Sequence, residues 1–366
     1  MTDAPAIKRL SFVDALRGVA ATGVVLFHAP EGHHVTAFFA SLPAWLRFLV
    51  EHGSLGVPIF FVLSGFVISH SLYHQGMTLH LLGRFSLRRS LRLDPPYWFA
   101  IALSLAFGAL STALVANHEV VRRSWAQVIA HLFYLQDILR YGDINPVFWT
   151  LCYEVQFYLA YAILLLLGRN DPAKRFQGRQ MALLLVSAMA ASLLWPLGLG
   201  PQLRAGLFPP LWHSFLLGVG AYWTWRDRGA LPFFATYGLI IGAMAFINHD
   251  DFDGVCVATA ALLYIVGAAN KLTMAANWRW LQFLGVISYS LYLIHNPITG
   301  ASFRIGYMIT GRSMIWEAVW WIVSLAACII FASAMWWAIE RPSQRLSHRI
   351  SRAKATASMA QVSTVV

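Results

Sequence analysis

Residues 314–338 read MIWEAVWWIVSLAACIIFASAMWWA, a run in which Glu317 is the one charged side chain. A helix of about 20 apolar residues crosses the roughly 30 Å hydrocarbon layer of a bilayer, so this run is long enough to span a membrane. Similar apolar runs recur near residues 10–29, 55–72, 97–115, 148–167, 181–199, 208–225, 231–248, 254–270 and 281–300. The chain is therefore predicted to be an all-α integral membrane protein, a bundle of about ten transmembrane helices.

The composition of the whole chain favours the same fold class. Of its 366 residues, 58% are hydrophobic and only 12% are charged, whereas a soluble domain carries about 25% charged residues. The spans occupy a predicted membrane domain at 1–345, which leaves a polar, flexible cytoplasmic tail at 346–366. Cys152, Cys256 and Cys328 lie inside apolar runs without a CxxC pair, so they are predicted to be core residues and no metal site is expected.

The net charge of +11 follows the membrane topology. With both termini cytoplasmic, 19 of the 27 Lys and Arg residues fall in cytoplasmic segments, as the positive-inside rule requires. The short run 126–139 is either a further span or a re-entrant or interfacial helix. Counting it as a span would place the basic loop 169–179 outside, so ten spans are preferred. The charge then needs no nucleic-acid partner.

The first apolar run carries Asp14, Arg17 and His28, and ionisable residues within a span are functional candidates by default. Eleven residues separate Arg17 from His28, which puts both on one helix face about 16 Å apart. Asp14 lies three residues before Arg17 and can pair with it. In the alternative interpretation, Asp14 and Arg17 neutralise each other for folding and His28 lies at the outer interface.

A basic cluster precedes the third span. Arg88, Arg89 and Arg92 are three or four residues apart, so a helical turn would group their guanidinium groups. Phosphates are natural partners of such a cluster. The alternative is ordinary cytoplasmic topology charge beside the interfacial aromatic residues Tyr97 and Trp98.

Two later spans also carry polar side chains. Glu154 lies a turn or two into the fourth span, where it could bind sugar hydroxyls, orient a catalytic histidine or act as a base, or instead pair with an interfacial arginine for packing. Ser288, Tyr292 and His295 share one face of the ninth span, where interhelical hydrogen bonding is the competing explanation. Ser64 lacks the GxSxG context of a nucleophile and is a packing or pocket residue.

Six motifs occur in order along the chain. They are Leu16-Arg17-Gly18 with His28, Phe60-Phe-Val-Leu-Ser-Gly-Phe66, Arg89-Ser-Leu-Arg92 with Pro96, Trp149-Thr-Leu-Cys-Tyr-Glu154, Ser288-Tyr-Ser-Leu-Tyr-Leu-Ile-His295 with Pro297, and Glu340-Arg-Pro342. Together they resemble the acyltransferase 3 family of integral membrane acyltransferases, over nearly the whole chain.

The resemblance implies transfer of an acyl group from cytoplasmic acetyl-CoA, or another acyl-CoA, to a hydroxyl of an extracytoplasmic glycan or glycolipid. It implies a multi-pass protein of the bacterial inner membrane, with acyl-CoA as co-substrate and no bound cofactor. The family's functional positions map to Arg17, His28, Arg89, Arg92 and Glu154. Further pocket residues are predicted to be Asp14, Ser64, Tyr97, Trp149, Tyr153, Ser288, Tyr292 and His295, with Arg88 beside the donor.

Our mechanistic hypothesis makes His28 the general base that takes the acceptor's hydroxyl proton. Glu154 would orient His28 or the acceptor, and Arg17 would stabilise the thioester carbonyl or the oxyanion. A covalent acyl-enzyme through His28 or a serine is an open alternative. The competing function is a transporter or flippase that uses the same intramembrane groups for passage or proton relay.

Overall fold

A computed structural model describes residues 9–72, 77–114, 123–168, 179–347 and 349. It is 80% helix, and its described residues contain no strand. The α-helices are α1 (Ser11–Glu31), α2 (Ala37–Ser41), α3 (Ala44–Glu51), α4 (Gly56–Leu72), α5 (Leu79–Leu114), α6 (Trp125–Leu132), α7 (Trp149–Leu167), α8 (Arg179–Ser192), α9 (Trp212–Arg226), α10 (Leu231–Asn248), α11 (Asp251–Ala268), α12 (Arg279–Thr310) and α13 (Met314–Met335). The predicted all-α class is confirmed.

Within these residues, seven helical segments are long and apolar enough to cross a membrane, so the protein is multi-pass. They contain α1, α3 with α4, α5, α7, α10, α11 and α13. Each of the other three predicted runs also holds a helix, but α8 and α9 have only 14 and 15 residues. The 32-residue α12 is long enough and more polar. The count of about ten spans and the orientation of the termini stay predictions.

Two predictions concern the segments between the spans and the end of the chain. The run 126–139 forms only the eight-residue helix α6, about 12 Å long and too short to cross the bilayer as a helix. Residues 169–178, which hold most of the predicted basic loop, and the tail beyond 349 lie outside the described residues.

The Arg88–Arg92 segment belongs to a continuous helix. The 36-residue α5 begins well before the apolar run at residue 97 and continues through Pro95 and Pro96. At about 54 Å it exceeds the hydrocarbon thickness. Its first half therefore holds the arginines in helical register with the apolar run that follows them.

Two hydrophobic clusters build the bundle. One is centred on α4, α7 and α9, and the other on α1, α12 and α13. The α1 helix packs most extensively along α12, and α4 along α9. These two helix pairs frame the space between the clusters.

Glycines allow both helix pairs to approach closely, as small residues do in membrane bundles. A Cβ on Gly218 of α9 would overlap the carbonyl oxygen of Val62 in α4, and a Cβ on Gly65 would overlap the carbonyl of Phe215. Gly285 of α12 lies against the backbone of Asp14 in the same way. The backbones thus pack without intervening side chains.

Glu317 has a structural partner set in the segment that follows α1. Its carboxylate accepts hydrogen bonds from the backbone amides of Thr36 (2.9 Å) and Phe38 (2.8 Å) and from Arg312 Nε (3.0 Å). The single charge of the 314–338 run is therefore satisfied, as a buried charge must be. It ties the segment after α1 to α13.

Candidate active site

A cavity of about 80 Å³ lies between the two hydrophobic clusters. Residues of α1, α4, α5, α7 and α12 line it. Its polar lining consists of Arg17, Ser64, Arg89, Arg92, Thr150, Glu154, Tyr158, Ser288, Tyr289 and Tyr292. Five of the six sequence motifs thus meet around one space inside the bundle.

The cavity has an excess of positive charge. Arg17, Arg89 and Arg92 line it together with one carboxylate, Glu154. Among the described residues, no carboxylate oxygen lies within 4 Å of these three guanidinium groups. Glu154 and Glu340 act on these arginines electrostatically without contacting them. Because partly buried cations that lack a contacting counterion are costly, this arrangement favours binding of an anion.

Glu154 is held by its neighbours on α4 and α7. Ser64 Oγ donates a 2.7 Å hydrogen bond to Glu154 Oε1, and the Tyr158 hydroxyl donates to the same oxygen. The Arg89 guanidinium carbon lies 4.3 Å from the centroid of the Tyr158 ring, a cation–π contact. Ser64 is therefore a pocket residue that positions a carboxylate, and Tyr158 links this carboxylate to Arg89.

A second cavity, of about 240 Å³, continues from the first along α5. It shares Arg89 and Arg92 with the first cavity and adds Arg84 and Arg88. Four arginines therefore line a path from the start of α5 into the bundle. The predicted donor-side residue Arg88 lies in this second cavity.

His28 and His295 form a pair away from the first cavity. Their ring centroids are 5.1 Å apart, and neither residue lines the cavity. His295 Nδ1 donates to the Tyr292 carbonyl at 2.8 Å, which makes Nε2 the acceptor. This buried Nε2 has no hydrogen-bond partner among the described residues. Tyr292, whose ring is 6.0 Å from that of His295, lies between the pair and the cavity.

Glu154 was predicted to orient either His28 or the acceptor, and its hydrogen bonds within the described part of the chain are to Ser64 and Tyr158 rather than to His28. The carboxylate next to His28 is Glu31, with Oε2 3.3 Å from His28 Nδ1. The reason is axial position: Glu154 lies at the level of Arg17, and His28 is about 16 Å further along α1. Glu31 was not predicted, although its place three residues after His28 is a recognisable signal.

Asp14 does not pair with Arg17. Its carboxylate accepts a 2.5 Å hydrogen bond from Arg9 Nε, and Asp14 does not line either arginine-lined cavity. Arg17 thereby keeps its positive charge for the cavity.

Three predicted pocket residues are packing groups outside the cavity. Tyr97 is fully buried and stacks on Tyr134 at 4.6 Å. Trp149 and Tyr153 contact each other edge to face, and the Tyr153 hydroxyl accepts a hydrogen bond from the Gly206 amide.

Ser288 and Tyr292 do line the cavity. Ser288 Oγ donates within its own helix to Gly285, and the Tyr292 hydroxyl bonds with Thr150 Oγ1 at 3.0 Å. Thr150 and Tyr289 were not predicted, because their apolar surroundings in sequence do not distinguish them from packing residues.

The amino-acid sequence is similar to a known protein family and to characterised relatives over most of its length. A family model described as an acyltransferase domain matches residues 10–339. The exopolysaccharide production protein ExoZ of Rhizobium meliloti is 28% identical over a region covering 74% of this chain and 80% of that protein. The O-acetyltransferase OatA of Staphylococcus aureus is 25% identical, covering 91% of this chain and 57% of that protein. The peptidoglycan O-acetyltransferase OatA of Listeria monocytogenes is 24% identical, covering 92% and 56%.

The chain thus spans little more than half the length of the two OatA proteins. No solved structure matches it.

Proposed function

Since this chain belongs to the acyltransferase 3 family and is a membrane acyltransferase, we propose that it moves an acyl group, acetyl in the first instance, from acyl-CoA to a hydroxyl of a cell-envelope glycan. Family membership decides against the transporter alternative. One observation carries the proposal: a bundle cavity lined by three arginines and a single carboxylate. Such a cavity suits an anionic donor.

The donor binds along the arginines. Arg84, Arg88, Arg89 and Arg92 line the second cavity, where their guanidinium groups hold the phosphates of CoA. Arg17 lies on the same cavity as Arg89 and Arg92. Because it is about 16 Å along α1 from His28, its charge acts on the donor in this proposal, whereas our sequence-based hypothesis assigned it to the oxyanion.

The acyl group reacts at His28, which the pantetheine arm reaches past Tyr292. A carboxylate only accepts hydrogen bonds, so Glu31 makes Nδ1 of neutral His28 the donor and leaves Nε2 as the base. The acceptor oxygen bonds to the thioester carbonyl carbon while its proton passes to Nε2. The carbon–sulfur bond then breaks, and the departing thiolate takes up the proton as CoA.

The names of the relatives support a proposal for the class of acceptor. ExoZ is named for exopolysaccharide production and the Listeria OatA for peptidoglycan O-acetylation. We therefore propose an envelope polysaccharide or glycolipid as the acceptor for this chain. The proposed location is the bacterial inner membrane, with the acceptor reaching His28 from the outer side.

The test uses the purified full chain in detergent, [¹⁴C]acetyl-CoA and envelope glycans extracted from the source cells. The proposal predicts release of CoA thiol in step with alkali-labile label on glycan. His28→Ala should lower the rate by about 10²-fold or more, the usual contribution of a general base. The absence of any labelled glycan with the wild-type protein, or an unchanged rate with His28→Ala, would contradict it.

A further inference from the structure

A third cavity, of about 480 Å³, shares no lining residue with the arginine-lined cavities. It begins at Glu31 and Gly32, the end of α1. Its other walls are the second half of α5, residues 144–146 before α7, and α12 beyond Asn296. Because Glu31 also contacts His28, this cavity, called here the outer cleft, adjoins the proposed reaction centre.

The outer cleft has a polar part and an apolar part. In the polar part, Asn296 Nδ2 donates to Asn145 Oδ1 at 3.3 Å, and Asn145 Nδ2 donates to the Leu293 carbonyl at 3.2 Å. Asn145 is buried, and its Oδ1 also accepts from the Val147 amide, so it positions Asn296. Asn296 and Glu31 then offer the donors and acceptors that hydroxyl groups need. In the apolar part, Ile305 and Met308 are 56% and 73% exposed, facing outward from the bundle.

Arg304 is the cation of the outer cleft. Its Nη1 donates to Ser111 Oγ, and among the described residues no carboxylate oxygen lies within 4 Å of its guanidinium group. Neighbouring Arg312, by contrast, is neutralised by Glu317 at 3.0 Å. Arg304 therefore has a charge available for an anion at the point where the polar and apolar parts meet.

A smaller cavity of about 400 Å³ shares Arg304 with the outer cleft and adds His33, His34 and Arg312. Burial first, and then the charges of Arg304 and Arg312, lower the pKa of His34. Arg304 thus acts as a positive charge on this side of the outer cleft, whereas Glu31 acts on His34 in the opposite direction.

We propose that the outer cleft binds the acceptor as a saccharide joined through a phosphate to a lipid chain. The inference rests on the proposed function and deepens it by naming the form of the acceptor. Arg304 binds the phosphate, and the sugar lies along Asn296 and Glu31 toward His28. The lipid chain runs over Ile305 and Met308 into the bilayer. Hydrogen-bonding groups, a positive charge and an apolar surface follow one another along the cleft, as the sugar, phosphate and lipid chain do along such a molecule.

The test measures binding without acyl transfer. Native mass spectrometry of the purified full chain in detergent would be titrated with a polyprenyl phosphate, using three comparison ligands: the polyprenol that lacks phosphate, phosphatidylglycerol and inorganic phosphate. Arg304→Gln would be compared with Arg204→Gln, since Arg204 is an exposed arginine in no cavity described here.

The expected result is binding of polyprenyl phosphate by the wild type and Arg204→Gln, and at least about tenfold weaker binding by Arg304→Gln. The polyprenol and phosphatidylglycerol should bind more weakly than polyprenyl phosphate. Equal binding by Arg304→Gln, or by phosphatidylglycerol, would overturn the inference. So would displacement by inorganic phosphate at similar concentration, which would indicate a free-phosphate site.

Acetyl-CoA binding by the same samples separates this inference from the proposed function. Retained acetyl-CoA binding by Arg304→Gln would show that this variant is folded and that its defect lies on the acceptor side. A wild-type protein that binds polyprenyl phosphate but not acetyl-CoA would leave the outer cleft in place and contradict the donor proposal.

Discussion

At the level of single side chains, Arg89 shows how the cavity tolerates its charge. Its guanidinium group lies over the Tyr158 ring, and the Tyr158 hydroxyl donates to Glu154. The tyrosine thus contacts both the cation and the carboxylate, and keeps them apart instead of letting them form a closed ion pair. The hydrogen-bonding edge of Arg89 stays available to a ligand.

The first prediction concerns donor affinity. Arg89→Gln removes one charge from the cavity while leaving a polar side chain of similar length. Loss of a charge-assisted hydrogen bond costs about 1.5–3 kcal/mol, so acetyl-CoA should bind about 10- to 100-fold more weakly. Isothermal titration with acetyl-CoA measures this, with Arg345→Gln as the control because Arg345 is an exposed arginine that does not line the cavity. Equal affinity in both variants would refute the donor site.

The second prediction separates the two carboxylates. Glu31→Gln weakens the hydrogen bond to His28, so kcat should fall about fivefold with an unchanged KM for acetyl-CoA. Glu154→Gln keeps an acceptor oxygen for Ser64 and removes the one negative charge lining the cavity. It should change the KM for acetyl-CoA more than kcat. If steady-state kinetics instead showed that Glu154→Gln lowers kcat and that Glu31→Gln changes mainly the KM, Glu154 and not Glu31 would be the partner of His28.

How far the site follows from sequence depends on the kind of residue. Arg17 and Glu154 could be predicted as candidates because a charge inside a span needs a reason, and Arg89 and Arg92 because their spacing groups two guanidinium groups before a span. Their arrangement could not be predicted, since whether Glu154 meets His28 or Ser64 depends on how far α7 is displaced along α1 and α4. The period of a single helix carries no information on that displacement.

At the level of elements, the α4–α9 pair fixes one wall of the cavity. Gly65 and Gly218 bring the two backbones together directly next to Ser64, whose hydroxyl positions Glu154. The geometry of the site therefore depends on a helix contact that has no polar group of its own.

The third prediction tests this contact. Gly218→Val places methyl groups against the Val62 backbone, and overpacking of this kind costs about 1–3 kcal/mol. The unfolding temperature in detergent should fall and acyl transfer should be lost. Gly238→Val in α10 is the matched control, because nothing lies within 4 Å of a Cβ at that position. Equal unfolding temperatures for both variants would show that the close approach is unimportant.

The sequence predicted that helices exist at all ten apolar runs, because hydropathy is a strong signal over such lengths. It misjudged their ends. The third run at 97–115 is the second half of α5, since polar residues continue the same helix toward its start. The run 181–199 ends its helix at Ser192, because turns begin there that hydropathy does not register.

At the level of the whole molecule, the cavities form a two-sided arrangement. The arginine-lined cavities lie on one side of Tyr292, His295 and His28, and the outer cleft lies on the other. A donor that cannot cross the membrane and an acceptor outside it could therefore meet at one histidine. The proposed acyl transfer depends on which side of the membrane each cavity faces as much as on any single residue.

The fourth prediction tests that sidedness. Asp251 and Arg345 are both exposed, and with both termini cytoplasmic they fall on opposite sides of the membrane. A membrane-impermeant maleimide added to intact cells should label Asp251→Cys. It should label Arg345→Cys only after permeabilisation, whereas the native cysteines are buried and provide a low background. Labelling of Arg345→Cys in intact cells would show that the topology is inverted. The arginine-lined cavities would then not face the cytoplasm, where the donor is.

The most direct test of acyl transfer at His28 is mass spectrometry of the envelope glycans of the source cells. The gene would be intact, deleted, or complemented with the wild type or His28→Ala, with equal amounts of each protein in the membrane. The account predicts that deletion removes an acyl-ester mass, such as acetyl, from one glycan and that only the wild type restores it. Ester content that survives deletion, or that His28→Ala restores, would contradict the account.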